Sequence, residues 1–138
     1  MNVYLHLKIV GAILLVLGLA HACFDRYFRW QSELAKLTVL TRQVFAVHNF
    51  FIGLLVAMMG ICSLFFTKAL VASGTLSCVV LSGFVLTWLC RWVVQLFVYD
   101  PSIWRGRRFY SVMHVAFTLF WTYIVIAYSA ALRLAWQA

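Results

Sequence analysis

The chain has 138 residues, 66% of them hydrophobic and 10% charged, with a single proline. A mean hydropathy of +1.00 excludes an ordinary soluble domain. The formal charge of +8 is concentrated in two short segments between apolar runs, which suits anionic lipid headgroups and argues against a nucleic-acid partner.

A hydrocarbon core about 30 Å thick needs roughly 20 helical residues. Four runs meet that length, at residues 3–24, 44–66, 75–99 and 109–132. They predict an all-α integral membrane protein, a four-transmembrane-helix bundle forming one domain over residues 1–138, with an interfacial loop at 25–43. So little chain remains outside the bilayer that any function must sit within the bundle or on its faces.

Span one carries Gly11, Gly18, Ala22 and Asp25 along one stripe. Small residues at such spacing let membrane helices approach backbone to backbone. Its end, Ala20-His21-Ala22, has the small residues of a signal-peptide cleavage site. Only Lys8 precedes the apolar core, however, while Arg26 and Arg29 follow it, so the segment is expected to be retained as a span. After it, Ser32 and Glu33 offer an N-cap with an acidic first turn. Trp30, Leu34, Leu37 and Thr41 follow helical spacing, which predicts a short interfacial helix.

Span two continues the small-residue pattern with Asn49, Gly53, Val56 and Gly60. The connection at 67–74 reads as short and nearly featureless. No Cys-x-x-Cys occurs. Cys62 and Cys78 fall at similar depth and read as buried apolar thiols, with a disulfide as the alternative. Span three places Thr87, Arg91 and Gln95 on one stripe. Asp100-Pro101 stops it, Gly106 permits a turn, and Arg107-Arg108 lead into span four, where His114, Thr118, Trp121 and Thr122 share a face. Tyr27, Trp30, Trp104 and Tyr110 predict an aromatic belt at this end.

Arg26, Arg29, Lys36 and Arg42 lie in the first connection and Arg105, Arg107 and Arg108 in the third, against Lys68 alone in the second. The positive-inside rule then places the first and third connections in the cytoplasm and both termini on the outer side. The expected location is a multi-pass position in a bacterial inner (plasma) membrane.

Counting along the helices puts His48 and His114 about 6–8 Å inside the cytoplasmic boundary, with Arg91 about 12 Å from its end of span three. Four spans thus contribute to one polar layer. His21, His48 and His114 are candidate acid/base groups. With Asp25 they form a candidate metal set of three imidazoles and one carboxylate. His48 and His114 are also a candidate axial pair for haem b, with only His6 toward the other face as a further redox ligand. No compact motif such as His-Glu-x-x-His fixes their geometry. Arg91, Gln95, Asn49 and Tyr99 are the ligand-binding candidates, because an arginine at this depth needs an anion and only Asp25, Glu33 and Asp100 could supply one.

The function expected from this layer is binding of a lipid- or quinone-like amphipathic ligand, with or without a metal. Two alternatives stand beside it: a non-catalytic accessory subunit of a larger membrane complex, with the layer as interhelical glue, and a haem b electron-transfer protein. Catalysis stays open. The expected partners are membrane lipids with anionic headgroups, and a membrane-protein partner or a second copy of the chain. A cavity lined by the layer would favour a ligand, and a closed, fully paired layer would favour the structural subunit.

Overall fold

The computed structural model describes residues 2–23 and 31–137. Among them all regular structure is helical: α1 (Val3–Ala20) continuing into a 3-10 turn (His21–Cys23), α2 (Gln31–Leu34), α3 (Val39–Phe65), α4 (Thr67–Leu70), α5 (Thr75–Phe97), a 3-10 turn (Pro101–Ile103) and α6 (Arg108–Gln137). Four of these helices, α1 with its turn, α3, α5 and α6, are long and apolar enough to cross a membrane. Asp25, Arg26, Tyr27, Arg29 and Trp30 lie outside the described residues.

The helix ends differ from the sequence expectation for local reasons. Helix α3 starts at Val39 and not at 44, because the Thr38 hydroxyl accepts the Thr41 N–H at 3.2 Å and caps a new helix there. The interfacial helix expected to run from Trp30 to Thr41 is accordingly reduced to the single turn Gln31–Leu34, since Thr38 takes an extended ψ of 154°. Helix α5 ends at Phe97 and not at 99. The ring of Pro101 would clash with the carbonyl four residues earlier in a continuing helix, and Asp100 turns extended with ψ 128°. Helix α6 runs to Gln137, past the expected 132, along good helix formers that include the buried Ala131 and Ala135.

The connection at 67–74 is folded, contrary to the featureless loop expected. Thr67 and Ser63 are both buried, and the Thr67 hydroxyl donates to the Ser63 carbonyl at 2.6 Å. Leu70 and Val71 are buried as well. Gly74, with φ +151° and ψ 155°, then occupies backbone space that is essentially glycine's alone.

The chain forms two compact units, Lys8–Thr67 and Met1–Leu7 with Lys68–Ala138. In the first, α1 and α3 are antiparallel and meet through glycine. A Cβ on Gly11 would lie 2.6 Å from the Leu64 nitrogen and 2.9 Å from the Gly60 carbonyl oxygen. One on Gly18 would lie 2.6 Å from the Ala57 nitrogen and 2.7 Å from the Gly53 oxygen. Gly60 and Gly53 meet Gly11 and Gly18 reciprocally, so the glycines of the two stripes lie in the contact between α1 and α3. The α-hydrogens occupy the space of the missing side chains and point at partner carbonyls, a geometry for weak Cα–H···O contacts.

In the second unit α5 and α6 are antiparallel and meet through large side chains. Leu81, Trp88 and Gln95 are the buried residues of α5 and recur every seven positions. Trp121, Ile124, Ala127, Tyr128, Ala131 and Ala135 are the buried residues of α6; all but Ala127 follow alternating three- and four-residue steps, the repeat of a coiled-coil seam, and Ala127 widens the buried stripe beside it. Trp88 stacks on Trp121 with ring centroids 5.1 Å apart, and Phe84 meets Tyr128 edge-on at 5.2 Å. The start of α1 belongs to this unit, where His6 Nδ1 and the Tyr123 hydroxyl are hydrogen-bonded at 2.9 Å.

Candidate ligand site

The polar groups resolve into a hydrogen-bonded network in the second unit and an open groove in the first. In the network, Gln95 is buried at the seam position that Leu81 and Trp88 hold elsewhere. Its carbonyl oxygen accepts from Arg91 Nη1 at 3.3 Å and from Trp121 Nε1 at 3.4 Å. Two donors on that oxygen orient the amide, so its nitrogen faces His114 Nδ1 at 2.9 Å and donates to it. In the neutral ring the proton then sits on Nε2. The His114 imidazole lies flat on Trp104, with centroids 4.0 Å apart and planes 11° from parallel.

The Arg91 guanidinium also donates to the Tyr99 hydroxyl at 3.5 Å and sits 5.0 Å from the Trp121 ring centroid and 5.6 Å from that of Tyr99. Cation–π contacts of this kind are worth about 0.5–2 kcal/mol each. Among the described residues no carboxylate pairs with it. The network is otherwise satisfied: Thr118 donates to the His114 carbonyl at 2.8 Å, and Trp92 Nε1 donates to the Thr122 hydroxyl at 2.9 Å. The buried indole N–H of Trp88 is the exception, with no acceptor among the described residues.

The groove lies between the end of α1, Leu34 of α2 and the first half of α3, with a volume of about 720 Å³. His21 and Asn49 face it, as do Arg42, Phe45, Phe50 and Leu54, with Gly18, Gly53 and Ala57 at its deep end. The Asn49 amide donates to the His21 carbonyl at 3.1 Å, in the 3-10 turn that follows α1. His21 Nδ1 is bonded to the Leu17 carbonyl at 2.8 Å. Among the described residues no acidic side chain lines the groove, and Arg42 at its α2 end is exposed.

The expected site residues are therefore divided. Arg91, Gln95, Tyr99 and His114 come together in the network, and His21 and Asn49 at the groove. His48 is exposed, with Nδ1 bonded to the Val44 carbonyl of its own helix at 2.8 Å, so it belongs to no buried layer. Asp25 lies outside the described residues. Among those that are described, no three His, Cys, Asp or Glu side chains cluster so as to hold a metal ion, which leaves the metal and haem expectations without support. Cys62 and Cys78 are half-buried free thiols.

Sequence reasoning missed Arg42, which it counted only as a loop charge, and Trp104, which it assigned to the interfacial belt. It also missed the seam role of Gln95, although the seven-residue spacing of Leu81, Trp88 and Gln95 was available as a signal.

Beyond the connection, the Asp100 carboxylate accepts the Ser102 backbone N–H at 2.7 Å, and this bond holds its carboxyl below the usual range. Comparison with protein-family models, curated proteins and solved structures finds no match to this chain. The fold defines its class: a small helical protein with four helices able to cross a membrane, hence of multi-pass type.

Proposed function

We propose that this is a multi-pass membrane protein that binds a lipid- or quinone-like amphipathic ligand at the groove between α1 and α3, in the cytoplasmic leaflet of a bacterial inner membrane. The observation that carries this reading is the groove itself: about 720 Å³, walled by Leu, Phe and Ala side chains, with Arg42, His21 and Asn49 as its polar groups. Ligand pockets combine mostly apolar walls with a few placed polar groups in this way. The cytoplasmic assignment rests on Arg42, Lys36 and the other basic residues of the first and third connections. Membrane-impermeant thiol labelling of Lys36→Cys and Lys68→Cys tests it, and outside labelling of position 36 would overturn it.

Binding is tested by native mass spectrometry of the full chain in detergent, with phosphatidylcholine and a short-chain benzoquinone as separate probes. Ala46→Trp places a bulky ring in the groove at an exposed position, and Leu86→Trp is the control on an exposed face of the other unit. Retention of at least one probe is expected in the wild type and Leu86→Trp, with its loss in Ala46→Trp. Equal retention in all three would reject the groove as the site.

A second reading is supported by the Arg91 network. Its side chains hydrogen-bond across α5 and α6, which suits interhelical glue, so an accessory subunit of a larger membrane complex is the alternative. Co-purification of a stoichiometric membrane partner, together with failure of both probes to bind, would favour it.

A further inference from the structure

We infer that the groove holds one anionic phospholipid of the surrounding leaflet, with its phosphate at Arg42 and an acyl chain lying over Phe50, Leu54 and Ala57. This rests on the reading that the groove binds an amphiphile, and it adds the charge and origin of that amphiphile.

The length of the groove is the first argument. From Arg42 to Ala57 it follows fifteen residues of α3, about 22 Å at 1.5 Å per residue. A bilayer with its headgroups is about 40–45 Å thick, so the groove matches the depth of one leaflet, headgroup included. Charge is the second argument. Among the described residues Arg42 is the one lysine or arginine in the lining, no Asp or Glu lines the groove with it, and it has no acidic partner. Guanidinium recognises phosphate through paired N–H donors. A zwitterionic headgroup brings its own cation beside the phosphate and leaves the site with net positive charge, whereas an anionic headgroup neutralises it.

The order of residues along α3 is the third argument. It runs from the cationic Arg42 past Phe45 and Ala46 to the amide of Asn49, and beyond Asn49 the α3 lining is wholly apolar, through Phe50, Gly53, Leu54 and Ala57, so the charge stands at one end as in a phospholipid.

The test is native mass spectrometry of the full chain with phosphatidylglycerol and phosphatidylcholine of identical acyl composition, on wild type, Arg42→Gln, Arg42→Lys and Ala46→Trp. All measurements are made in an Arg91→Gln background so that the half-buried Arg91 guanidinium, which has no carboxylate partner among the described residues, does not contribute. The parent is expected to retain phosphatidylglycerol over phosphatidylcholine by about fivefold, the factor one basic residue contributes near an anionic surface. Arg42→Gln brings the two lipids to parity, Arg42→Lys keeps the preference, and Ala46→Trp loses both lipids. Lipid that is displaced by Ala46→Trp but shows no headgroup preference, or a preference that survives Arg42→Gln, overturns this inference and leaves the groove reading standing. Absence of any retention sensitive to Ala46→Trp overturns both. Displacement of a second copy of the chain by Ala46→Trp assigns the groove to self-association, which also overturns the inference. Circular dichroism checks that each variant is helical; if Arg42→Gln is not, parity of the two lipids on the parent is itself the negative result.

Discussion

The two hairpins solve one packing problem in opposite ways. Both use a seven-residue step: Gly11 to Gly18 and Gly53 to Gly60 in one, Leu81 to Trp88 to Gln95 in the other. Membrane helices gain little from hiding apolar surface from lipid, so their association depends on close packing and hydrogen bonds. The first hairpin removes side chains until backbone meets backbone. The second fills its seam with stacked indoles and places a single amide among them. A glycine seam is intolerant of added volume, whereas an aromatic seam is intolerant of a lost hydrogen-bond partner.

The largest effect expected from this contrast is at Gly18. Gly18→Leu would drive carbon into the Ala57 backbone, which cannot move like a flexible side chain. The expected cost is about 3 kcal/mol or more, at or above the upper end of ordinary overpacking. Gly83→Leu, on α5 with nothing within 4 Å of its Cβ position, is the matched control and should be close to neutral. Thermal loss of helicity in detergent compares the two, and equal midpoints would show that the glycine contact does not hold the first hairpin.

A smaller effect is expected at Gln95. Gln95→Leu keeps the seam apolar but strands the Arg91 and Trp121 donors and the His114 acceptor, at about 1–3 kcal/mol. Adding Arg91→Leu should return part of that loss, because one of the stranded donors is then absent. A double-mutant cycle in denaturant unfolding measures the coupling, and strict additivity would mean that the 3.3 Å contact between Arg91 and Gln95 contributes nothing.

The smallest effect belongs to the connection of the second hairpin. The Ser102 N–H lowers the Asp100 pKa, so the bond stabilises the turn fully above the unfolded carboxyl value and is lost as pH falls through the lower folded one. The change therefore lies below the ordinary value of 3.8. The Ser102 amide resonance should follow it in an acid titration. Asp100→Asn should abolish that titration while leaving both hairpins intact.

Hydropathy made the four long helices legible, and the glycine stripes were legible because small residues at helical spacing carry their meaning locally. The Asp100-Pro101 stop was equally plain. Counting residues gave depth along a helix but not direction around it. His48 and Asn49 are neighbours in depth, yet a turn of about 100° per residue separates them, and one is exposed while the other lines the groove. Arg42 escaped notice because the Thr38 cap, which brings it into α3, depends on one side-chain bond that competes weakly in sequence with the more apolar start at Val44. The orientation of the Gln95 amide required knowing which residues of α6 lie opposite it.

The early start of α3 has a mechanical consequence. Its 27 residues extend about 40 Å, against roughly 30 Å of hydrocarbon. A helix with surplus length tilts, or lets its end emerge among the headgroups. The glycine contacts tie α3 to the shorter α1, 18 residues long, so α3 cannot absorb the mismatch by tilting alone. In a thin bilayer the emerging end carries Arg42 beyond the phosphate plane; in a thicker one the same residue is drawn level with it. For the lipid inferred above, membrane thickness thereby becomes a variable that sets how well the groove meets a headgroup.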